Sequence, residues 1–309
     1  MKFRAAAVAA LCVLATAACS DEAGAGGDTV TLGFVNGANT EFHTCLQRAV
    51  DSEAKTAGAK LITANSKQDP ATELNNIEDM ISRNVDALIV QTVNVDALKN
   101  DITKAKNADI PIFLTSVITQ DTSEILGAVV VDLEKVGALD AGFIAEDAGD
   151  TPVEVGIIAG APGAASDLMV KGFESALPAT ATVVANQPGM FNRTKAQDVA
   201  ENMIQAHPNI AYAFVANEEM AFGALQAFEA AGKKVKIVTT NGTDEGLAAV
   251  QDGRFAATVA NSATVTGQLA VKNTLALLNK GTSEKIANTP IKLITKENLT
   301  DAPKYCLEG

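Results

Sequence analysis

From Thr29 onward the chain alternates short apolar runs with amphipathic stretches at regular spacing, a rhythm that repeated βα units around parallel sheets satisfy best. A first group of strands is expected at Val30–Val35, Lys60–Thr63, Ala87–Val90 and Ile110–Leu114, with helices beginning near Glu41, Pro70 and Asp96. The second of these helices shows its logic: Asp69 caps it, Pro70 takes the first helical position, and Leu74, Ile77 and Ile81 recur on one face, which is expected to pack on the sheet. A second group follows at Val153–Ile158, Thr182–Ala185, Ala211–Val215, Val235–Thr239 and Ala257–Val259, with helices starting near Ser166, Thr194, Glu218 and Asp244. A helix over Val265–Asn279, stopped by Gly281, and a strand over Ile291–Thr295 complete the pattern. No low-complexity linker separates the groups. The transitions near Val129–Asp132, Asn261–Ala263 and Asn288–Ile291 read as strand-like crossovers, which suits an α/β protein of two Rossmann-like lobes with parallel sheets. At 309 residues, each lobe can bury its own core.

The first residues do not belong to this pattern. Lys2 and Arg4, an apolar run from Ala5 to Ala15, and small residues up to Cys19 form an export signal too short to remain as a membrane span. Thr16, Ala17 and Ala18 ahead of Cys19 resemble the bacterial lipobox, with Thr16 departing from the usual Leu or Val, so residues 1–18 are expected to be removed and Cys19 to carry lipid. Cleavage after Ala17 with release of the protein is the alternative. Residues 19–28, rich in Gly, Ala and acids, read as a flexible tether. Cys45 and Cys306 are then the thiols of the folded chain; an exported location permits a disulfide between them, and otherwise Cys45 is a small hydrophobe on its helix.

The charge of −13, from 37 acidic and 24 basic residues, repels phosphates and anionic surfaces, which argues against nucleic acid and leaves the lipid as the one membrane contact. Catalysis is not expected either. His43 and His207 are far apart in sequence, and neither H-E-x-x-H, C-x-x-C nor G-x-S-x-G occurs, so no metal and no cofactor is expected. The Ala159–Gly163 loop lacks both G-x-G-x-x-G and a P-loop lysine, and reads as the wall of a cleft. Ligands of open parallel sheets bind beyond the carboxyl ends of the strands. There the sequence places Asn36 with Asn39, then Gln91, Ser116, the Ala159–Asp167 loop, Asn217, Asn241 and Asn261. Such side chains offer donors and acceptors together, as a neutral polyhydroxylated ligand requires. With no tryptophan in the chain, any stacking falls to Phe or Tyr.

Several stretches closely resemble the ribose-type periplasmic binding proteins: Ala206-His207-Pro208-Asn209, Phe214 through Asn217, Glu219-Met220-Ala221, Gly223-Ala224-Leu225, Asn241-Gly242-Thr243 and Ala257-Thr258-Val259-Ala260. The resemblance runs from Thr29 to about Lys296. It implies the type I, Venus-flytrap fold with three hinge crossovers, lobe one being 29–131 with 262–290 and lobe two 132–261 with 291–309. It also implies a monomeric substrate-binding component of an ABC importer that closes on a monosaccharide, polyol or amino sugar and presents it to a membrane permease. Asn36, Phe42, Gln91, Ser116, Asp167, Phe191, Asn217, Asn241 and Asn261 fall at the family's contact positions, with Phe42 and Phe191 sandwiching a sugar ring. The departures matter. Ribose binders carry a carboxylate and an arginine where Ser116 and Val117 stand, an arginine where Asp167 stands and an aspartate where Asn241 stands, so ribose itself is disfavoured and a neutral or amine-bearing ligand is expected. A ligand sensor signalling to a membrane receptor shares this fold, as does the effector domain of a sugar-responsive repressor, whose DNA-binding segment the export signal replaces here.

Overall fold

Ala87–Val90 (β3) is buried at all four positions, as a strand covered on both faces must be, and it takes an inner place in the first of two six-stranded sheets. The computed structural model describes residues 29–308; the signal, the tether and Cys19 lie outside the described residues. In the first sheet, β1 (Thr31–Asn36), β2 (Lys60–Asn65), β3, β4 (Ile112–Ser116), β5 (Gly127–Val130) and β11 (Ile286–Asn288) run parallel in the order β11-β5-β4-β3-β1-β2. In the second, β6 (Val153–Ala159), β7 (Ala181–Pro188), β8 (Ile210–Val215), β9 (Lys236–Asn241), β10 (Ala257–Asn261) and β12 (Ile291–Ile294) follow the order β12-β10-β9-β8-β6-β7. The expectation of parallel sheets needs one correction: β12 pairs antiparallel with β10, because the chain returns to this sheet from the other without a helical crossover.

On the first sheet, α1 (Glu41–Thr56) and α9 (Ala263–Leu278) cover one face with Leu46, Val50, Ala270 and Val271, while α2 (Pro70–Ser82) and α3 (Leu98–Asn107) cover the other. Asp69 caps α2 by accepting from the Ala71 and Thr72 N–H groups (2.7 and 3.0 Å). The buried face of α2 is Glu73, Ile77 and Met80, with Leu74 and Ile81 at its margin; the stripe is turned from the one expected because Glu73 faces inward. Beyond α9 the left-handed position is Lys280, not Gly281, whose N–H closes the turn on Ala276 O at 2.8 Å.

The second sheet is flanked by α4 (Leu133–Ala148), α5 (Ala164–Ala176), α6 (Arg193–Ala206), α7 (Glu218–Ala230) and α8 (Asp244–Asp252). The sequence pattern did not reveal α4, whose small and apolar residues run nearly all round it and blur the 3.6-residue period. It packs backbone to backbone on α5: a Cβ at Gly172 would lie 1.9 Å from Glu134 O, and one at Gly137 2.0 Å from Met169 O. Three crossovers join the lobes side by side. Val131 N–H donates to Ser116 O (3.0 Å), Thr289 N–H to Val130 O (2.8 Å), and the Thr266 and Thr289 hydroxyls meet at 2.8 Å. Cys306 is bonded to Cys45 on α1, and Tyr305 packs against Cys45 and Ala263.

Candidate ligand-binding cleft

The carboxyl ends of both sheets face one cavity of about 330 Å³. Of the residues expected there, Phe42, Gln91, Ser116, Phe191, Asn217, Asn241 and Asn261 line it together. Three others do not. Asn39 is exposed beyond β1. Asn36 is buried behind the wall, where its amide Nδ2 donates to His43 O at 2.9 Å. Asp167 is exposed in a groove on the outer face, beside Lys171 and Glu174. Its displacement has a simple cause: α5 begins at Ala164, and burial of Ser166, Met169 and Phe173 fixes a helix phase that turns Asp167 outward and brings Met169 to the cavity. As an acid in the first turn it complements the helix dipole.

The amides are oriented by the backbone around them. Asn217 caps α7, its Oδ1 accepting from Met220 N–H (2.9 Å), and Asn94 Oδ1 accepts from Ala97 N–H (2.9 Å). Asn241, at a φ of 146°, accepts from Glu218 N–H at 3.4 Å. Asn261 donates through Nδ2 to Thr240 Oγ1 (3.3 Å), while its Oδ1 is buried without a partner among the described residues. Ser116, at a φ of 68°, is the centre of a three-residue turn closed by Val117 N–H on Thr115 O (2.8 Å), and its Oγ is likewise buried and unpartnered. Met190 and Phe191 also have positive φ, 62° and 50°. Side chains held in this sparsely populated region around one cavity mark a preorganised site.

Two buried acids build these walls from behind. Glu218, 1% exposed, accepts from Gly242 N–H (2.8 Å), Thr243 N–H (2.9 Å) and the Thr258 hydroxyl (2.6 Å), which fixes the turn that presents Asn241; burial raises its pKa. Glu73 accepts from the Thr92 hydroxyl (2.7 Å) and Val93 N–H (2.6 Å), securing the loop after β3. The ring of Phe191 lies against Gly160, where a Cβ would stand 2.1 Å from it, so any side chain at position 160 would push this aromatic wall out of place.

His43 was not among the expected contacts, yet it lines the cavity and controls Gln91. Its Nε2 meets Gln91 Oε1 at 2.9 Å and its Nδ1 meets the Thr40 hydroxyl at 2.7 Å. Enclosure lowers its pKa to about 4, against a smaller upward effect of the Gln91 hydrogen bond, so the ring is neutral near pH 7. Val117, Val131, Leu133 and Met169 add an apolar seam. None of the described lining residues carries a formal charge at neutral pH. Among the described residues there is also no cluster of three or more His, Cys, Asp or Glu able to hold a metal, and no helix long and apolar enough to cross a membrane.

Residues 32–283 match the periplasmic binding protein domain. The chain belongs to the periplasmic binding protein family. Within it, the chain is 34% identical over 278 residues to the ribose import binding protein of Escherichia coli (strain K12), covering 87% of this chain and 91% of that protein. It is 28% identical over 300 residues to the xylitol-binding protein of Mycolicibacterium smegmatis, covering 94% and 84%. A solved structure from Mycobacterium smegmatis in complex with β-D-fucofuranose superposes with a TM-score of 0.82 at 26% identity, over 88% of this chain and 93% of that one. Relatives of this family are binding proteins, and the two lobes follow its fold.

Proposed function

We propose that this protein is the extracytoplasmic substrate-binding component of an ABC importer and takes a neutral monosaccharide or polyol between its lobes. One observation carries the reading: uncharged amides and two aromatic rings from the ends of two separate sheets converge on a single cavity. A ligand reaching Gln91 and Ser116 on one side and Asn217, Asn241 and Asn261 on the other makes all its contacts only when the lobes are closed, so its binding energy selects the closed form. Phe42 and Phe191 take the C–H faces of the ring, and the closed lobes, 29–131 with 262–290 and 132–261 with 291–309, are what a membrane permease reads. Binding, not catalysis, is the role; the protein acts as a monomer, held at the membrane by lipid on Cys19. A calorimetric screen over neutral monosaccharides and polyols tests this. One or more is expected to bind with micromolar or tighter affinity, and Asn217→Ala to weaken that ligand at least tenfold. A panel without any binder sinks the reading, and a mature N-terminus without lipid sinks the anchor.

A further inference from the structure

His43 reaches into the cleft from α1, yet neither of its ring nitrogens is left for a ligand. Each imidazole nitrogen has one hydrogen-bonding position. Nδ1 uses its own on the Thr40 hydroxyl (2.7 Å) and Nε2 on Gln91 Oε1 (2.9 Å). Thr40 stands at the N-cap of α1, where a threonine hydroxyl ordinarily accepts from a helix N–H, but it makes no such bond and is given to the ring instead. That pairing decides where the single proton of the neutral imidazole sits. The Thr40 hydroxyl has no other partner among the described residues, so it donates to Nδ1, the ring proton stays on Nε2, and Nε2–H can meet only the oxygen branch of Gln91. With the proton on Nδ1 the ring would accept at Nε2, and the Gln91 amide, whose two branches are nearly alike in shape, would turn over. Gly37 packs on the same branch, where a Cβ would lie 2.4 Å from Gln91 Oε1, and the other branch, Gln91 Nε2, has no partner among the described residues.

We infer that His43 is a positioning residue for the ligand: pinned by Thr40, it holds Gln91 so that the amide NH2 is turned into the cleft. This rests on the carbohydrate reading above and deepens it. The ligand atom at Gln91 Nε2 is then an oxygen offering a lone pair, be it hydroxyl, ring or carbonyl. His43 adds to affinity through Gln91 alone, because without it the amide samples both orientations and each ligand has to order it again. The bond from Asn36 Nδ2 to the His43 main-chain oxygen (2.9 Å) survives any substitution of the ring, so the start of α1 stays in place.

Two measurements on the whole protein test this. The chain has two histidines, so imidazole nitrogen spectra of the 15N-labelled protein, assigned with His207→Gln, read the His43 tautomer without any ligand. A proton on Nε2 at pH 7 is expected, and a proton on Nδ1 overturns the inference. Calorimetry with D-galactose, D-glucose, D-xylose, xylitol and myo-inositol then reads the coupling in whichever of them binds. His43→Leu is expected to weaken binding roughly tenfold, and His43→Gln, which again offers an N–H to Gln91 Oε1, to recover to within about threefold of the unaltered protein. On a Gln91→Ala background, His43→Leu is expected to change affinity by less than about twofold, since its effect runs through the amide. If His43→Leu does not fold, Thr40→Val takes its place in the same cycle: it keeps the ring but frees the tautomer, with an expected loss of about threefold that vanishes on the Gln91→Ala background. An equal loss on both backgrounds overturns the inference and leaves the carbohydrate reading standing, as does His43→Leu binding like the unaltered protein. If none of these probes binds, the carbohydrate reading falls and takes this inference with it, whatever the spectra show.

Discussion

His43 is held by a hydroxyl on one ring nitrogen and an amide oxygen on the other, and its neutral form is the one that donates to Gln91 while accepting from Thr40. Its folded pKa of about 4 lies below the ordinary value of 6.5, so the unfolded chain takes up the proton first as the solution is acidified. The stability owed to the neutral ring is whole above about pH 6.5 and is lost as pH falls from there through about 4. His43→Gln removes the titration, and thermal melts are expected to show a shallower loss of Tm between pH 6.5 and 4 than in the unaltered protein; parallel slopes would show that His43 does not titrate as described. At this scale the sequence was legible where residue type and strand end coincide, as for Gln91, Asn217, Asn241 and Asn261. It was illegible where helix phase decides, which is why Asp167 was expected in place of Met169 and His43 was passed over. The spacing of Ser166, Met169 and Phe173 carries that phase, but only for a helix that starts at Ala164, two residues ahead of Ser166.

At the scale of elements, Glu73 shows how a helix holds a binding loop. It reaches from α2 to Thr92 and Val93, so the segment carrying Val93, Asn94 and Val95 into the cleft is tied to the helix by two hydrogen bonds. Burial raises its pKa to about 7, with a smaller push from Asp101, while the hydrogen bonds from Thr92 and Val93 oppose the rise. For an acid with a raised folded pKa, the contribution of the bound proton is whole below about pH 4.5 and is lost as pH rises through about 7. Glu73→Gln mimics the protonated form and is expected to gain Tm relative to the unaltered protein as pH goes from 5 to 8, whereas Glu73→Ala costs about 2 kcal/mol and weakens ligand binding. A constant Tm difference for Glu73→Gln across that range would refute the assignment. Elements with a clear period or cap, such as α2 with Asp69 and Pro70, were readable in advance. The helix α4 was not, because close packing on α5 through Gly137 and Gly172 favours small residues over a polar and an apolar face. Nor was β5, read as a crossover, since four residues ending in one look the same in sequence.

On the scale of the whole molecule, the two lobes repeat one plan, and the tail after β12 ties the second back to the first. Past the short helical turn at Leu299–Asp301, the Ser262 hydroxyl donates to Lys304 O (2.6 Å), and the Thr264 hydroxyl and N–H donate to Tyr305 O (both 3.1 Å). These residues start α9 at a crossover, so the tail is strapped across the hinge before Cys306 reaches Cys45. The bond closes a loop of 261 residues, which in the chain-entropy view removes about 5 kcal/mol of freedom from the unfolded chain, less whatever the reduced chain retains. For a protein of this size a loss of that order lowers Tm by roughly 5–10 °C. The tail remains hydrogen-bonded at the hinge without the bond, and its contact with the cleft is the packing of Phe42 against the Cys45–Tyr305 cluster, which that strap also holds, so reduction is expected to leave ligand affinity within about twofold while Tm falls. Melts with and without dithiothreitol, repeated on Cys306→Ser, separate the two effects: the variant should melt like the reduced protein and ignore the reductant. An unchanged Tm in samples where mass spectrometry shows both thiols free would mean that the hinge strap, and not the covalent bond, holds the tail. A large loss of affinity would mean that the bond also sets the angle at which the lobes meet.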